Sequence, residues 1–175
     1  MNARRAVLAG LALIAGVLAG VVGNHKAALS GDQISAVNLA QRIVNHQPGM
    51  QLLDLRTRAE FDQDRLPGAV LLSALDDSLP AEVSTWVVYA NHSVEPEEFR
   101  PLIQRLGGRE VLRLHGGLQA WSDEVMFPHI RSDATAVARR EFETIARLSR
   151  YFGGSPRVLA LGEVAAGQKR SRRGC

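Results

Sequence analysis

Between Ile34 and Pro128 short apolar runs of strand length alternate with segments of helical period, and turn pairs mark the changes. Pro48-Gly49, Pro67-Gly68, Gly107-Gly108 and Gly116-Gly117 are those marks. A chain written this way can bury both periods by laying its strands side by side in a mostly parallel sheet and covering both faces with helices. Trp86 to Ala90 is apolar without alternation, which suits a strand buried on both sides. Leu52 to Leu55, Ala69 to Leu72 and Val111 to Leu114 read as further strands. Ser35 caps a helix whose stripe is Leu39, Ala40, Ile43 and Val44, and Thr57-Arg58-Ala59-Glu60 is a capping box opening a shorter one. Another helix starts near Glu95, with Pro96 in its first turn and Glu97 and Glu98 at its positive end. Gly116-Gly117 leads a fourth, carrying Leu118 and Trp121.

Composition narrows the class. The chain has 175 residues, 46% hydrophobic and 22% charged, which excludes a wholly disordered chain and a polytopic membrane protein. Its one cysteine is the last residue, Cys175, so an internal disulfide and a zinc site built on several cysteines are excluded. The formal charge of +3 hides a division. Residues 32–128 carry 8 Lys/Arg against 14 Asp/Glu, whereas residues 131–175 carry 10 against 4. An acidic middle argues against a nucleic-acid partner.

Arg4 and Arg5 precede a run from Ala6 to Gly23 without a polar side chain, and His25 and Lys26 end it. At about 1.5 Å per residue the run reaches roughly 27 Å, enough to cross a hydrocarbon core. An uncleaved anchor and a cleaved signal both fit. The arginine pair before the run keeps the N-terminus inside, so the reading is a single-pass bacterial-type inner-membrane protein whose soluble part faces the periplasm, or a secreted one after signal cleavage.

The middle of the chain resembles the rhodanese-like sulfurtransferase domain. Leu53-Asp54-Leu55-Arg56 with Glu60-Phe61 is similar to that family's "D-x-R…E-F/Y" signature, Leu66-Pro67-Gly68-Ala69 to its "I/L-P-G-A" turn, and Gly116-Gly117-Leu118-Gln119-Ala120-Trp121 to its closing "G-G-x-x-x-W". Ile34-Ser35-Ala36 looks like its opening and Val87-Val88-Tyr89 like the strand that leads into its active-site loop. The resemblance implies an α/β rhodanese-like domain over 34–128. Before it come a hydrophobic helix (1–23) and a linker (24–33); after it come an amphipathic helix (132–152) and a flexible basic tail (153–175).

Active members of that family carry sulfur as a persulfide on a cysteine that opens a six-residue loop often ending in arginine. The corresponding stretch is Ala90-Asn91-His92-Ser93-Val94-Glu95. Ala90 holds the cysteine position and Glu95 the arginine position, so standard sulfurtransfer is not expected. The pocket candidates are then Asp54, Arg56, His92, Ser93 and His115. Asp54 and Arg56 also read as a strand-end ion pair, and the loop residues as solvated. No metal or cofactor is implied. Two functions follow: a membrane-tethered binding or regulatory module whose partner is another protein or a small sulfur species, or a sulfur-handling enzyme that uses Cys175. The four basic residues Lys169, Arg170, Arg172 and Arg173 lower that thiol's pKa modestly.

In the C-terminal extension Ser132 or Asp133 can cap a helix running to about Tyr151. Its apolar positions are Ala134, Val137, Ala138, Phe142, Ile145, Ala146, Leu148 and Phe152. Packing on the domain, a partner helix and anionic lipid are its possible uses.

Overall fold

A computed structural model describes residues 32–75 and 79–163. The hydrophobic segment 1–23 and the tail end with Cys175 lie outside the described residues, among which no helix is long and apolar enough to cross a membrane. Five parallel strands form the central sheet: β1 (Asp32–Ile34), β2 (Met50–Asp54), β3 (Ala69–Leu71), β4 (Thr85–Tyr89) and β5 (Glu110–Leu114), in the order β1-β5-β4-β2-β3. The helices that follow β1, β2, β4 and β5 are α1 (Ala36–Val44), α2 (Arg58–Gln63), α3 (Pro96–Arg105) and α4 (Gly117–Ala120).

The central strand shows why its sequence does not alternate. Val87 and Tyr89 enter one apolar cluster, with Leu39 and Ala40 of α1. Trp86 and Val88 enter the other, with Leu102 of α3 and Leu106 at its C-cap. All four are fully buried, so period two is present in direction but invisible in polarity. The α/β class with a mostly parallel sheet, read from the pattern, is the observed one.

The first strand lies partly inside the stretch read as linker. Asp32 and Gln33 pair with Leu112 and Arg113, an edge position that the three-residue segment reaches only through its partner β5. Ser35 caps α1 by accepting the Asn38 N–H at 3.3 Å, as its position predicts.

Beyond α4 the helix widens into a π turn, Trp121–Met126. It is followed by β6 (His129–Arg131), α5 (Ala136–Tyr151) and β7 (Arg157–Leu159), and β6 and β7 pair in parallel as a separate two-stranded ribbon. Two expectations are corrected here. Thr135 caps α5, its hydroxyl accepting the Ala138 N–H, in place of Ser132 or Asp133. Both of those are otherwise engaged: the Ser132 N–H donates to the Leu159 carbonyl, and the Asp133 carboxylate accepts two bonds from Arg131. The stretch read as tail from 153 contains β7.

α5 packs on the sheet domain through Leu148 and Phe152, whose ring meets Trp121 edge-on at 5.0 Å between centroids. The buried Ser149 hydroxyl donates to the Met126 carbonyl, and the Ser155 N–H reaches the same oxygen at 2.7 Å. Gly154 sits so close that a Cβ there would lie 2.2 Å from that carbonyl. Val137, expected on the apolar stripe, is 67% exposed.

Candidate functional site

β4 ends at Tyr89 and α3 begins at Pro96, so residues 90–95 form the loop at the carboxyl end of the central strand, where open α/β sheets gather ligands. Three sets of contacts fix it. The Gly116-Gly117 turn grips one side: the Leu118 N–H donates to the Ala90 carbonyl at 2.8 Å, the Gln119 N–H to the Asn91 carbonyl at 3.0 Å and the Gly116 N–H to the Ser93 hydroxyl oxygen at 2.8 Å. Gly117 has φ +59°, and a Cβ on it would lie 2.4 Å from the His92 carbonyl oxygen. On the far side Arg113 Nη1 donates to the Val94 carbonyl at 2.6 Å, while the Val94 side chain is buried against the α3 core.

The third contact comes from the strand-end pair. The carboxylate of Asp54, fully buried, accepts from Arg56 Nε and Nη2 at 2.8–3.2 Å. Arg56 Nη1 continues to Asp64 at 2.8 Å and to the Asn91 side-chain oxygen at 3.4 Å. The Asn91 amide then donates to Glu60 Oε1 at 2.8 Å, and Glu60 Oε2 accepts the Thr57 N–H and hydroxyl. The capping box legible in the sequence thus also holds the loop. Asp54 and Asp64 raise the Arg56 pKa, so its charge is permanent. Burial, and then the Asp54 carboxylate, push the Tyr89 hydroxyl up, leaving it a neutral partner for the Leu66 N–H.

Of the five sequence candidates, Asp54 and Arg56 are taken up in this brace. All three guanidinium nitrogens donate within the protein, and the Arg56 side chain is 4% exposed, so it presents little to a ligand. His92 and Ser93 lie exposed in the loop, but the Ser93 oxygen is engaged by Gly116. His115 Nδ1 lies 3.0 Å from Gln33 Oε1, which ties it toward β1. Asn91 is named in the sequence only as part of the loop 90–95, and neither Glu60 nor Asp64 is among the pocket candidates. Glu60 carries two signals, its place in the capping box and in the "D-x-R…E-F/Y" signature, and Asp64 none. Among the described residues no group of three or more His, Cys, Asp or Glu could hold a metal.

The contacts take up the Ala90, Asn91 and Val94 carbonyls. The N–H groups of His92, Ser93, Val94 and Glu95 donate to no acceptor among the described residues, and they lead into the N-terminus of the ten-residue α3. Successive open amides at a helix N-terminus can seat negative charge. Glu95 stands at the N-cap, exposed and without a cap bond, and opposes that charge.

A family model, the rhodanese-like domain, matches residues 35–124. The chain belongs to the rhodanese-like domain family. No curated protein sequence matches it. Solved structures similar to it include the thiosulfate sulfurtransferase of Pseudomonas aeruginosa, 28% identical over 52% of this chain and 18% of that one, with a TM-score of 0.44. The rhodanese-like domain of an Anabaena protein is 25% identical over 51% of this chain and 72% of that one, with a TM-score of 0.39. A rhodanese-like domain protein from Staphylococcus aureus is 20% identical over 53% and 93%, with a TM-score of 0.40. In this rhodanese-like domain the family match stops short of β6, α5 and β7.

Glu60 gives the brace a pH dependence. Bonds from the Thr57 side chain and backbone, then from Asn91, lower its pKa from 4.5 to about 2. A carboxylate depressed on folding stabilises the fold fully above its unfolded pKa and loses that contribution as pH falls through the folded value. Between pH 4.5 and 2 the urea midpoint of the wild type is therefore expected to fall more steeply than that of Glu60→Gln. Parallel profiles would show that Glu60 is not held in the brace.

Proposed function

We propose that this rhodanese-like chain is a binding module rather than a sulfurtransferase, tethered to a bacterial-type inner membrane by residues 6–23 and facing the periplasm. The observation that carries the reading is Ala90 as the first residue of the β4–α3 loop. In active relatives the sulfur-carrying cysteine opens this loop, and a methyl group cannot hold a persulfide. Glu95 supports the same reading, because a carboxylate at the last loop position repels the thiosulfate-like anions that an arginine there would attract. The loop is nevertheless braced by the Gly116-Gly117 turn, Arg113 and Asn91, and His92 and Ser93 exposed on it suit recognition of a small sulfur species or a partner protein.

Sulfur transfer from thiosulfate to cyanide by the full chain, beside its Cys175→Ser variant, tests this. No turnover is expected from either. Turnover abolished by Cys175→Ser would overturn the proposal and make the tail thiol the sulfur carrier. Ala90→Cys is a second arm. Its thiolate would break the S–S bond of thiosulfate, take the sulfane sulfur and release sulfite, and cyanide would remove that sulfur as thiocyanate. Thiocyanate from this variant alone would show that the nucleophile was the missing part.

A further inference from the structure

A cavity of about 510 Å³ opens between α5 and the β6–β7 ribbon, outside the family match and apart from the loop. That size is typical of sites for single small molecules. One wall is a helical face: Arg139, Phe142, Glu143, Ala146, Arg147 and Arg150 recur at spacings of three and four along α5, away from the face that Leu148 and Phe152 press onto the domain. The other wall is the ribbon, which contributes Ile130, Arg131 and Val158. Val158 is 63% exposed, far more than a three-residue paired strand needs to leave an apolar side chain.

The charges around this apolar floor are unequal. Arg131 is neutralised by Asp133 through two bonds of 2.9 Å. The other three lining guanidiniums form no ion pair among the described residues, although Arg139 also lies in the field of Asp133. Arg139 donates to the Ala134 and Ser132 carbonyls, which fix its position without cancelling its charge. Arg147 meets only the Thr144 hydroxyl, and Arg150 has no side-chain partner among the described residues. Glu143 is the one carboxylate among the described lining residues. An apolar trough rimmed by three arginines without an ion-pair partner among the described residues, against the single lining carboxylate of Glu143, keeps a positive excess that complements a molecule with an anionic head and an apolar body.

We infer that the groove between α5 and the β6–β7 ribbon binds a single-chain anionic amphiphile. Arg139, Arg147 and Arg150 hold its carboxylate or phosphate head, and its chain lies along Phe142, Ile130 and Val158. The inference is independent of the fate of sulfur chemistry at the loop.

Calorimetric titration of the full chain with decanoate tests it, beside the double variant R147E/R150E and the remote control R58E. Both groove arginines are exposed, so charge reversal leaves the core intact, and circular dichroism checks that the helix remains. Saturable decanoate binding is expected for wild type and R58E, weakened at least tenfold in R147E/R150E. Val158→Glu, which puts a carboxylate into the apolar wall, is expected to weaken it similarly. Equal affinity in R147E/R150E and wild type would overturn the site. Decyl maltoside binding as tightly as decanoate would overturn the role of charge, and inorganic phosphate doing so would overturn the role of the chain.

Discussion

Gly117→Ala is expected to lower the stability of the domain by about 3 kcal/mol, the sum of a left-handed backbone imposed on a side chain and an overpacked contact. The contact is severe because it is made to backbone: the added methyl would lie 2.4 Å from the His92 carbonyl oxygen and 2.5 Å from that of Ala90. The Ala90 carbonyl cannot move without losing the bond from the Leu118 N–H, and the His92 carbonyl lies between the bonds that hold Asn91 and Ser93. Gly68→Ala separates the two causes. Its φ is +74°, yet nothing lies within 4 Å of the Cβ position, so only the conformational cost of about 1 kcal/mol remains. Urea denaturation of both variants reads the difference. Equal losses would mean that the loop yields to the methyl group and is not fixed by the turn.

Arg56→Met is expected to cost about 3–5 kcal/mol, because it strands a fully buried carboxylate. The penalty belongs mostly to Asp54 left alone, so the double variant Asp54→Asn/Arg56→Met is expected to recover part of it. Arg58→Met two residues on is the contrast: its pair with Asp62 is exposed on both sides, and the loss stays within about 0.5 kcal/mol. Thermal and urea midpoints of the four proteins decide the matter. A double variant no more stable than Arg56→Met would show that the guanidinium matters through Asp64 and Asn91 rather than through Asp54.

How far the sequence could be read depended on the range of the interaction. Caps and turns at Ser35, Thr57–Glu60, Pro67-Gly68 and Gly116-Gly117 are local, and each is where the residues placed it. The three longer strands of the sheet, β2, β4 and β5, were legible because burial on one or both faces writes itself into polarity, and the Pro67-Gly68 turn marked the three-residue β3. β1, β6 and β7 are three residues each, too short for any period, and exist because a neighbouring strand supplies their bonds. At the site, Asp54 and Arg56 stood out as a pair two residues apart. Their continuation to Asn91, 35 positions beyond Arg56, is a tertiary contact that no local spacing announces. Ser132 and Asp133 were reasonable caps by residue type, and lost to a strand bond and an ion pair formed only in the folded chain.

The packing of α5 separates two boundaries that are usually drawn together. The family match ends at residue 124, but Leu148 belongs to the same apolar cluster as Leu39 of α1, and Phe152 covers Trp121. A chain cut after Pro128 would keep every family motif and expose part of its own interior to water. The inherited unit and the cooperative unit therefore differ by some 35 residues. Proteolysis within α5 is expected to uncover the Leu39 and Trp121 side of the core and destabilise the rhodanese-like domain rather than merely trim an appendage.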